Sequence, residues 1–548
     1  MAFKLPIAYR TTYAVPPTMA ADLELTTTVD ANGKSMYDCL LQPKSDFAKT
    51  TAKQWAEVFT DDTTFLKETV SLVKTTEFTE YDATDFMSSW KRVQETDDFS
   101  TVFQYIQQKQ LAFLNTSSKF LCALSIYSMT SPVLFILSPF IMLLVPFALL
   151  KVKKMQVSWE VYKKMLTEVL SKHAVGGLLM GFKGANANQR MYLFMTAIFF
   201  GIQMYSNVQT CYTFFKNIRY VHLTLNRAKL YVAHVLETVD VLNARASKLE
   251  TMAAFLVDVN DAAAVLKGYQ AELLNVRPGN CSWGEVMQMG KVRQLFYRLR
   301  SDEKLKTAFE YSFGLNGFAE NLTSMKRLLS KKKLNSCEFG KTTKFTKAVY
   351  PPATKHTPNS YTVANYAITG PNASGKTTFI KMTMINVLFS QQVGMGFYKK
   401  ATVAPFRSLC CYLNIPDTSG RDSLFQAEAR RCKEILDSIK DDSMFCIFDE
   451  LFSGTNPNEA SASAYAFLMF LETKPQCTFM LTTHFLDVCK KIEASTIKNM
   501  HMKTKGEGDE LTYLYKFDKG ISQVRGGVQV LQDLGFPSSI VACAKACG

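Results

Sequence analysis

The chain has 548 residues, 47% of them apolar and 20% charged. That composition excludes a disordered or collagen-like polymer and leaves room for three or four domains at roughly 150 residues each. Lys and Arg number 63 against 48 Asp and Glu, a formal charge of +15, which leans toward a polyanionic partner, either nucleic acid or an acidic membrane face.

Residues 1–118 are polar and Thr-rich, with short helical patterns in 52–74 and 85–113. Residues 119–216 form an apolar zone. Leu121 to Leu150 holds no charged residue in 30 positions and ends against Lys151, Lys153 and Lys154. It is long enough to span a bilayer as a helix. Pro132, Pro139 and Pro146 predict kinks or a re-entrant hairpin, and a buried core helix is the plain alternative. A second uncharged stretch, Met191 to Phe215, is weaker because it carries Gln203, Asn207 and Gln209. The Lys-rich segment between the two favours a cytosolic loop, so a hairpin within 121–150 and an interfacial 191–215 is the expected arrangement. Residues 217–340 read as long helices, with Leu223, Leu230, Val235, Leu236, Val239 and Leu242 at helical spacing. Lys331, Lys332 and Lys333 close that zone as a solvated end. Residues 341–548 alternate short apolar runs with helices, the pattern of a parallel sheet covered on both faces. The 13 Cys fall in no CxxC or Cys/His spacing. Reduced thiols are therefore expected in place of a disulfide framework or zinc site, and no signal peptide is expected from the first thirty residues.

The strongest local signal lies in the last zone. Residues 361–369 read as a strand, and Gly370-Pro371-Asn372-Ala373-Ser374-Gly375-Lys376-Thr377 is an intact GxxxxGK(S/T) followed by a helix from about Thr378. Strand, glycine loop and helix N-terminus together cradle phosphate, because backbone N–H groups and the helix dipole converge on it. Lys376 is expected on the β- and γ-phosphates and Thr377 on Mg²⁺. Met444 to Phe448 is an apolar strand ending in Asp449-Glu450. Asp449 is expected to hold Mg²⁺ through water, and Glu450, at a neighbouring strand tip, to activate the attacking water. A third strand, Thr478 to Thr482, delivers Thr483-His484, with His484 placed to sense the γ-phosphate. Asp449-Glu450 is followed by Leu451-Phe452-Ser453-Gly454-Thr455-Asn456, not LSGGQ, which disfavours a transporter-type ATP-binding cassette.

In its motifs this region resembles the ATPase domain of the MutS family of DNA mismatch-repair proteins. Thr369 to Asn372 with Gly375-Lys376-Thr377 matches the family's phosphate loop. Asp449, Glu450, Gly454 and Thr455 match its DExxxGT. Ser423, Phe425 and Glu428 match its SxFxxE, and Thr482-Thr483-His484 its ATH. Leu511 to Lys516 and Gly527 to Val530, then Gly535-Phe536-Pro537, echo its closing segments. More faintly, Thr28 to Gly33, Leu40 to Pro43 and residues 305–330 resemble parts of its helical core. The resemblance implies an α/β P-loop NTPase domain at 341–548 and an all-α lever-like core from 1–118 and 217–340, with the apolar, membrane-directed zone inserted at 119–216. It implies ATP with Mg²⁺, nucleotide contacts from Gly370 through Thr378, and a homodimer in which Ser423 reaches the partner's γ-phosphate. It implies DNA as partner, without the family's mismatch-reading domain. Ser374 stands where the family has glycine, Gly396 to Ala401 keeps its GxFVPA loop only in part, and Asn456 to Ala460 replaces its STxDG. The function expected is ATP-driven DNA binding. The alternative is a membrane-tethered ATPase on a non-DNA partner, intracellular, with the nucleotide site facing the cytoplasm.

Overall fold

The computed structural model describes residues 2–30, 32–152, 158–172, 186–276, 283–413, 415, 423–506, 512–522, 524, 531 and 534–547. Lys153, Lys154, Leu511 and the 527–530 echo lie outside them. The chain divides into two compact units. One comprises Tyr81–Leu236 and Ala263–Phe309; the other comprises Met1–Glu80, Glu237–Ala262 and Glu310–Gly548. These divisions do not fall near 118, 216 and 340. Composition marks where the chemistry of a chain changes, whereas compact units are set by contact.

In the first unit, helix α1 (Ser118–Val152) runs through all three prolines without a break. The re-entrant hairpin expected within 121–150 is therefore corrected. Pro132 and Pro139 lack the N–H groups that would serve the carbonyls of Ser128 and Phe135. Ser131 Oγ donates to Ser128 O at 3.4 Å and Ser138 Oγ to Phe135 O at 2.7 Å, so a serine beside each proline replaces the lost donor. Residues 191–215 are likewise not a separate interfacial element. They lie within helix α2 (Ala187–Ala246), which runs antiparallel to α1. Phe135 stacks on Phe200 at 4.7 Å between centroids, and Cys211 Sγ lies 3.5 Å from Met129 O. The start of α1 packs on helix α3 (Trp283–Ser301). A Cβ on Gly290 would lie 1.9 Å from Ser118 O, so glycine is what allows this approach. Buried Arg293 on α3 donates to Ser125 Oγ at 3.1 Å and to Phe103 O at 3.2 Å. Among the described residues one helical stretch, Ser118–Ser138, is long and apolar enough to cross a membrane, with mean hydropathy 1.9.

The second unit is built on a six-stranded sheet. Its strands are β1 (Tyr366–Thr369), β2 (Ser408–Tyr412), β3 (Met444–Asp449), β4 (Cys477–Thr482), β5 (Lys498–Lys505) and β6 (Thr512–Lys519), in spatial order β6-β5-β1-β4-β3-β2. Every pairing is parallel except β5 with β6. Met444 to Phe448 is buried at every position, as a central parallel strand covered on both faces requires. The expected strand 361–369 is two strands: Asn359–Thr362 belongs to a separate five-stranded sheet, and β1 begins at Tyr366. The break is held by Asn365, whose side chain accepts from Phe479 N at 3.1 Å while its carbonyl accepts from Lys498 N at 3.0 Å.

Helix α4 (Lys376–Val393) follows β1 and is buried on nearly every side. Its polar residues meet the chain breaks of the N-terminal segment. The expected helical pattern 52–74 is two helices, Asp46–Trp55 and Thr63–Thr75, with a short strand Val58–Phe59 between them. Gln392 Nε2 donates to Trp55 O and Val58 O at 2.5 and 2.8 Å, and Gln391 Nε2 to Thr60 O and Phe406 O at 3.1 and 2.7 Å. Buried amides thus take up carbonyls that a continuous helix would have paired internally.

Candidate nucleotide site

Between β1 and α4 the backbone takes left-handed or otherwise positive φ at Gly370 (+154°), Ala373 (+62°) and Gly375 (+90°). The two glycines permit this, and a Cβ on Gly370 would crowd Ser374 Oγ at 2.7 Å. A Cβ on Gly375 would meet the Tyr515 ring at 3.0 Å. The helix starts at Lys376, two residues ahead of the expected Thr378. Pro371 and Ser374 are buried, whereas Asn372, Ala373 and Thr378 are exposed. Ser374 Oγ is buried without a hydrogen-bond partner among the described residues. Lys376 is 5% exposed, and its Nζ donates to Gly370 O at 3.1 Å and Pro371 O at 3.3 Å. The result is a loop closed around an ammonium at a helix N-terminus, the arrangement that suits an anion.

The acids come from β3, which is not the neighbour of β1 as expected; β4 lies between them. Asp449 stands opposite Thr482, and Thr482 opposite Ile368. Three adjacent strand ends therefore build the site, the edge at which parallel α/β sheets bind ligands. Asp449 Oδ2 accepts from Thr377 Oγ1 at 2.8 Å, and Oδ1 accepts from Thr482 Oγ1. Thr377 and Asp449 thus pair two hard oxygen donors of the kind that suits Mg²⁺. Glu450 follows at φ +50°, its N–H donating to Thr482 O at 3.1 Å.

His484 Nε2 lies 2.7 Å from Glu450 Oε1 and 3.2 Å from Lys376 Nζ. One ring nitrogen cannot both accept from the ammonium and donate to the carboxylate. The shorter contact is to the acceptor-only carboxylate, so the proton belongs on Nε2 and is donated to Glu450. That bond, with the charges of His484 and Lys376 behind it, holds the Glu450 carboxyl below its ordinary range, against burial. Burial lowers the Lys376 pKa, opposed by the charges of Glu450 and Asp449. Glu450 is thereby kept ionised and fixed in direction.

Ser423 is not brought into this cluster. It is the N-cap of helix α5 (Leu424–Ser438): its Oγ accepts from Gln426 N at 3.3 Å, and Gln426 Oε1 accepts from Ser423 N at 3.0 Å. Glu428 on the same helix has a part that its sequence position did not show. It is buried, and it accepts from Ser453 N at 3.1 Å, Ser453 Oγ at 2.9 Å and Gly454 N at 3.2 Å. It thus ties down the loop that follows Asp449-Glu450. A Cβ on Gly454 would lie 2.6 Å from Leu424 Cγ, so glycine lets that loop reach α5.

Residues 366–547 match the family model for MutS domain V. The matched stretch is the C-terminal third of the chain. Similar proteins include the DNA mismatch repair protein spellchecker 1 of Drosophila melanogaster, 30% identical over 33% of this chain and 20% of its own length. MutS protein homolog 4 of Mus musculus is 32% identical over 32% and 19%, and DNA mismatch repair protein MutS of Acholeplasma laidlawii 28% identical over 33% and 22%. The chain spans about a fifth of the length of these curated relatives. The matched stretch begins at β1 and contains all six strands of the sheet together with Lys376, Asp449, Glu450 and His484. Two contributors were less visible in the sequence. Thr482 was part of a motif without a task of its own, and its bond to Asp449 needed the strand order. Glu428 could have been singled out as an acid on the apolar face of an amphipathic helix.

Proposed function

We propose that this chain is a Mg²⁺-dependent ATPase of the MutS type that binds DNA and closes its nucleotide sites in a homodimer. The observation that carries the reading is the convergence of Lys376, Thr377, Asp449, Glu450 and His484 on one glycine loop at the ends of three parallel strands. ATP is the substrate. Backbone N–H groups from Gly370 to Thr378 and the Lys376 ammonium bind its phosphates, with the lysine exchanging loop carbonyls for phosphate oxygens. Thr377 and Asp449 fit a magnesium ion, which would neutralise phosphate charge. Glu450, ionised and aimed by His484, takes the proton of the attacking water. His484 then carries the change at Glu450 into β4. Ser423 is proposed to complete the partner's site, since its capping role uses the oxygen as an acceptor and leaves the hydroxyl proton to donate.

DNA as partner is supported by the names of the relatives and by the +15 charge. ATP as substrate favours an intracellular protein with this site facing the cytoplasm. The test is steady-state ATP turnover by the full chain with and without duplex DNA. Stimulation by DNA, and binding that weakens steeply with salt, are expected. Turnover indifferent to DNA, with no binding at low salt, would favour the same ATPase acting on a non-DNA partner.

A further inference from the structure

The pair α1 and α2 presents apolar side chains outward. Val133, Leu137 and Leu144 on α1 and Phe194, Phe199 and Ile202 on α2 are between 43% and 66% exposed. At about 100° per residue, the exposed positions cover an arc of roughly 160° on α1 and roughly 220° on α2. A protein partner would cover one side of such a pair; a bilayer covers its whole perimeter.

The dimensions agree. Cys211 lies beside Met129 and Phe200 against Phe135, so the antiparallel pairing brings the end of the uncharged stretch of α1 to the level of the start of α2. Residues 129–150 then extend about 33 Å, against a hydrocarbon core of about 30 Å. Exposed Tyr127 and Tyr212 mark the near end, and exposed Tyr192 and Arg190 the far end. Aromatic side chains at both limits are the usual interface markers. Of the exposed amides of α2, Gln209 sits near the Cys211 end and Gln203 near the middle of the stretch.

The hydrogen bonding of α1 points the same way. Its uncharged stretch contains five Ser and Thr, and every hydroxyl donates to a carbonyl of the helix itself: Ser125 to Leu121, Ser128 to Leu124, Thr130 to Ile126, Ser131 to Ser128 and Ser138 to Phe135. The last two serve the carbonyls that the prolines deprive. In water such closure is optional; in hydrocarbon it is required. Taken alone α2 is the less apolar of the two, and its register against α1 is what makes it the second span.

We propose that residues 129–150 and 191–211 form an antiparallel pair of spans in a phospholipid bilayer. The proposal does not rest on the nucleotide site. The test uses the full chain, reconstituted from mild detergent into vesicles of three parts phosphatidylcholine to one part phosphatidylglycerol. The chain is expected to float with the vesicles after both carbonate at pH 11 and 1 M salt washes, conditions that strip peripheral proteins. Phe199→Trp fluorescence should be quenched by lipids brominated at mid-chain, well beyond the wild-type signal, whereas Leu230→Trp, further along α2, should match wild type. Release by salt or carbonate would overturn the proposal, as would a detergent-free soluble monomer or dimer that does not float. Equal quenching at Phe199→Trp and Leu230→Trp would overturn it even if the chain floats.

Discussion

Helices α4 and α1 invert the usual relation between polarity and burial. α4 is polar at nine of its 18 positions, yet Lys376, Lys381, Asn386, Ser390, Gln391 and Gln392 are all buried. α1 carries no charge across 121–150, yet Leu137 and Leu144 stand exposed. In α4 the polar groups meet backbone groups left open by chain breaks at Trp55, Val58, Thr60 and Phe406, which turns the helix into a fixed platform for the glycine loop. In α1 the hydroxyls close on their own backbone, and Ser125 alone among them also serves a neighbour among the described residues, accepting from Arg293. Hydrogen-bond accounting, as much as hydropathy, decides what is inside this protein.

The contrast can be broken most forcefully at Lys376. Lys376→Ala should reduce ATP affinity at least ~100-fold, about 2.8 kcal/mol, in equilibrium titration. Its melting temperature should not fall. The folded pKa of Lys376 lies below the unfolded one, so its charged form is disfavoured by folding at every pH below that folded value, and removing it relieves a cost. A melting temperature lowered by many degrees would mean the lysine is there for the fold.

Gln391→Leu keeps the bulk of the side chain but strands Phe406 N and the carbonyls of Thr60 and Phe406. A loss of about 2 kcal/mol is expected in urea unfolding. The mirror change on α1, Leu137→Gln, should stay within about 0.5 kcal/mol in detergent, because an exposed position has no packing to lose. Equal losses at the two sites would erase the contrast. Glu428→Gln should cost about 1.5 kcal/mol and lower turnover together with stability, since one amide oxygen cannot replace the two oxygens that hold Ser453 and Gly454.

The smallest effect expected is on pH dependence. Glu450 has a folded pKa below its unfolded value, so its ionised form is present above both and lost as pH falls through the folded one. His484 is the largest cause of that shift. His484→Ala should therefore move the acid limb of kcat upward. An unmoved limb would deny His484 its part in setting the base.

Much of the site was visible in the sequence, because the phosphate loop and the Asp449-Glu450 pair are local: spacing along the chain fixes spacing at a strand end. What was hidden depended on strand order. Nothing in 444–450 says that β4 lies between β3 and β1, so neither the Thr482–Asp449 bond nor the His484 bridge could be derived. The apolar zone was legible as composition but not as path. Three prolines in thirty residues read as a break, and the serines that repair two of them act only once the helix exists. The packing of residues 46–75 around α4 was hidden for the same reason, since Gln391 and Gln392 announce no partners.

The central claim is that Glu450 is the base for ATP cleavage in a site that binds nucleotide without it. Its direct test is single-turnover cleavage of radiolabelled ATP by wild type and Glu450→Gln, with bound nucleotide measured on the same samples. The account predicts that the variant retains uncleaved ATP at wild-type occupancy while cleavage slows by roughly 10²- to 10⁴-fold. Wild-type cleavage by Glu450→Gln, or wild-type protein that binds ATP and never cleaves it, would contradict the account.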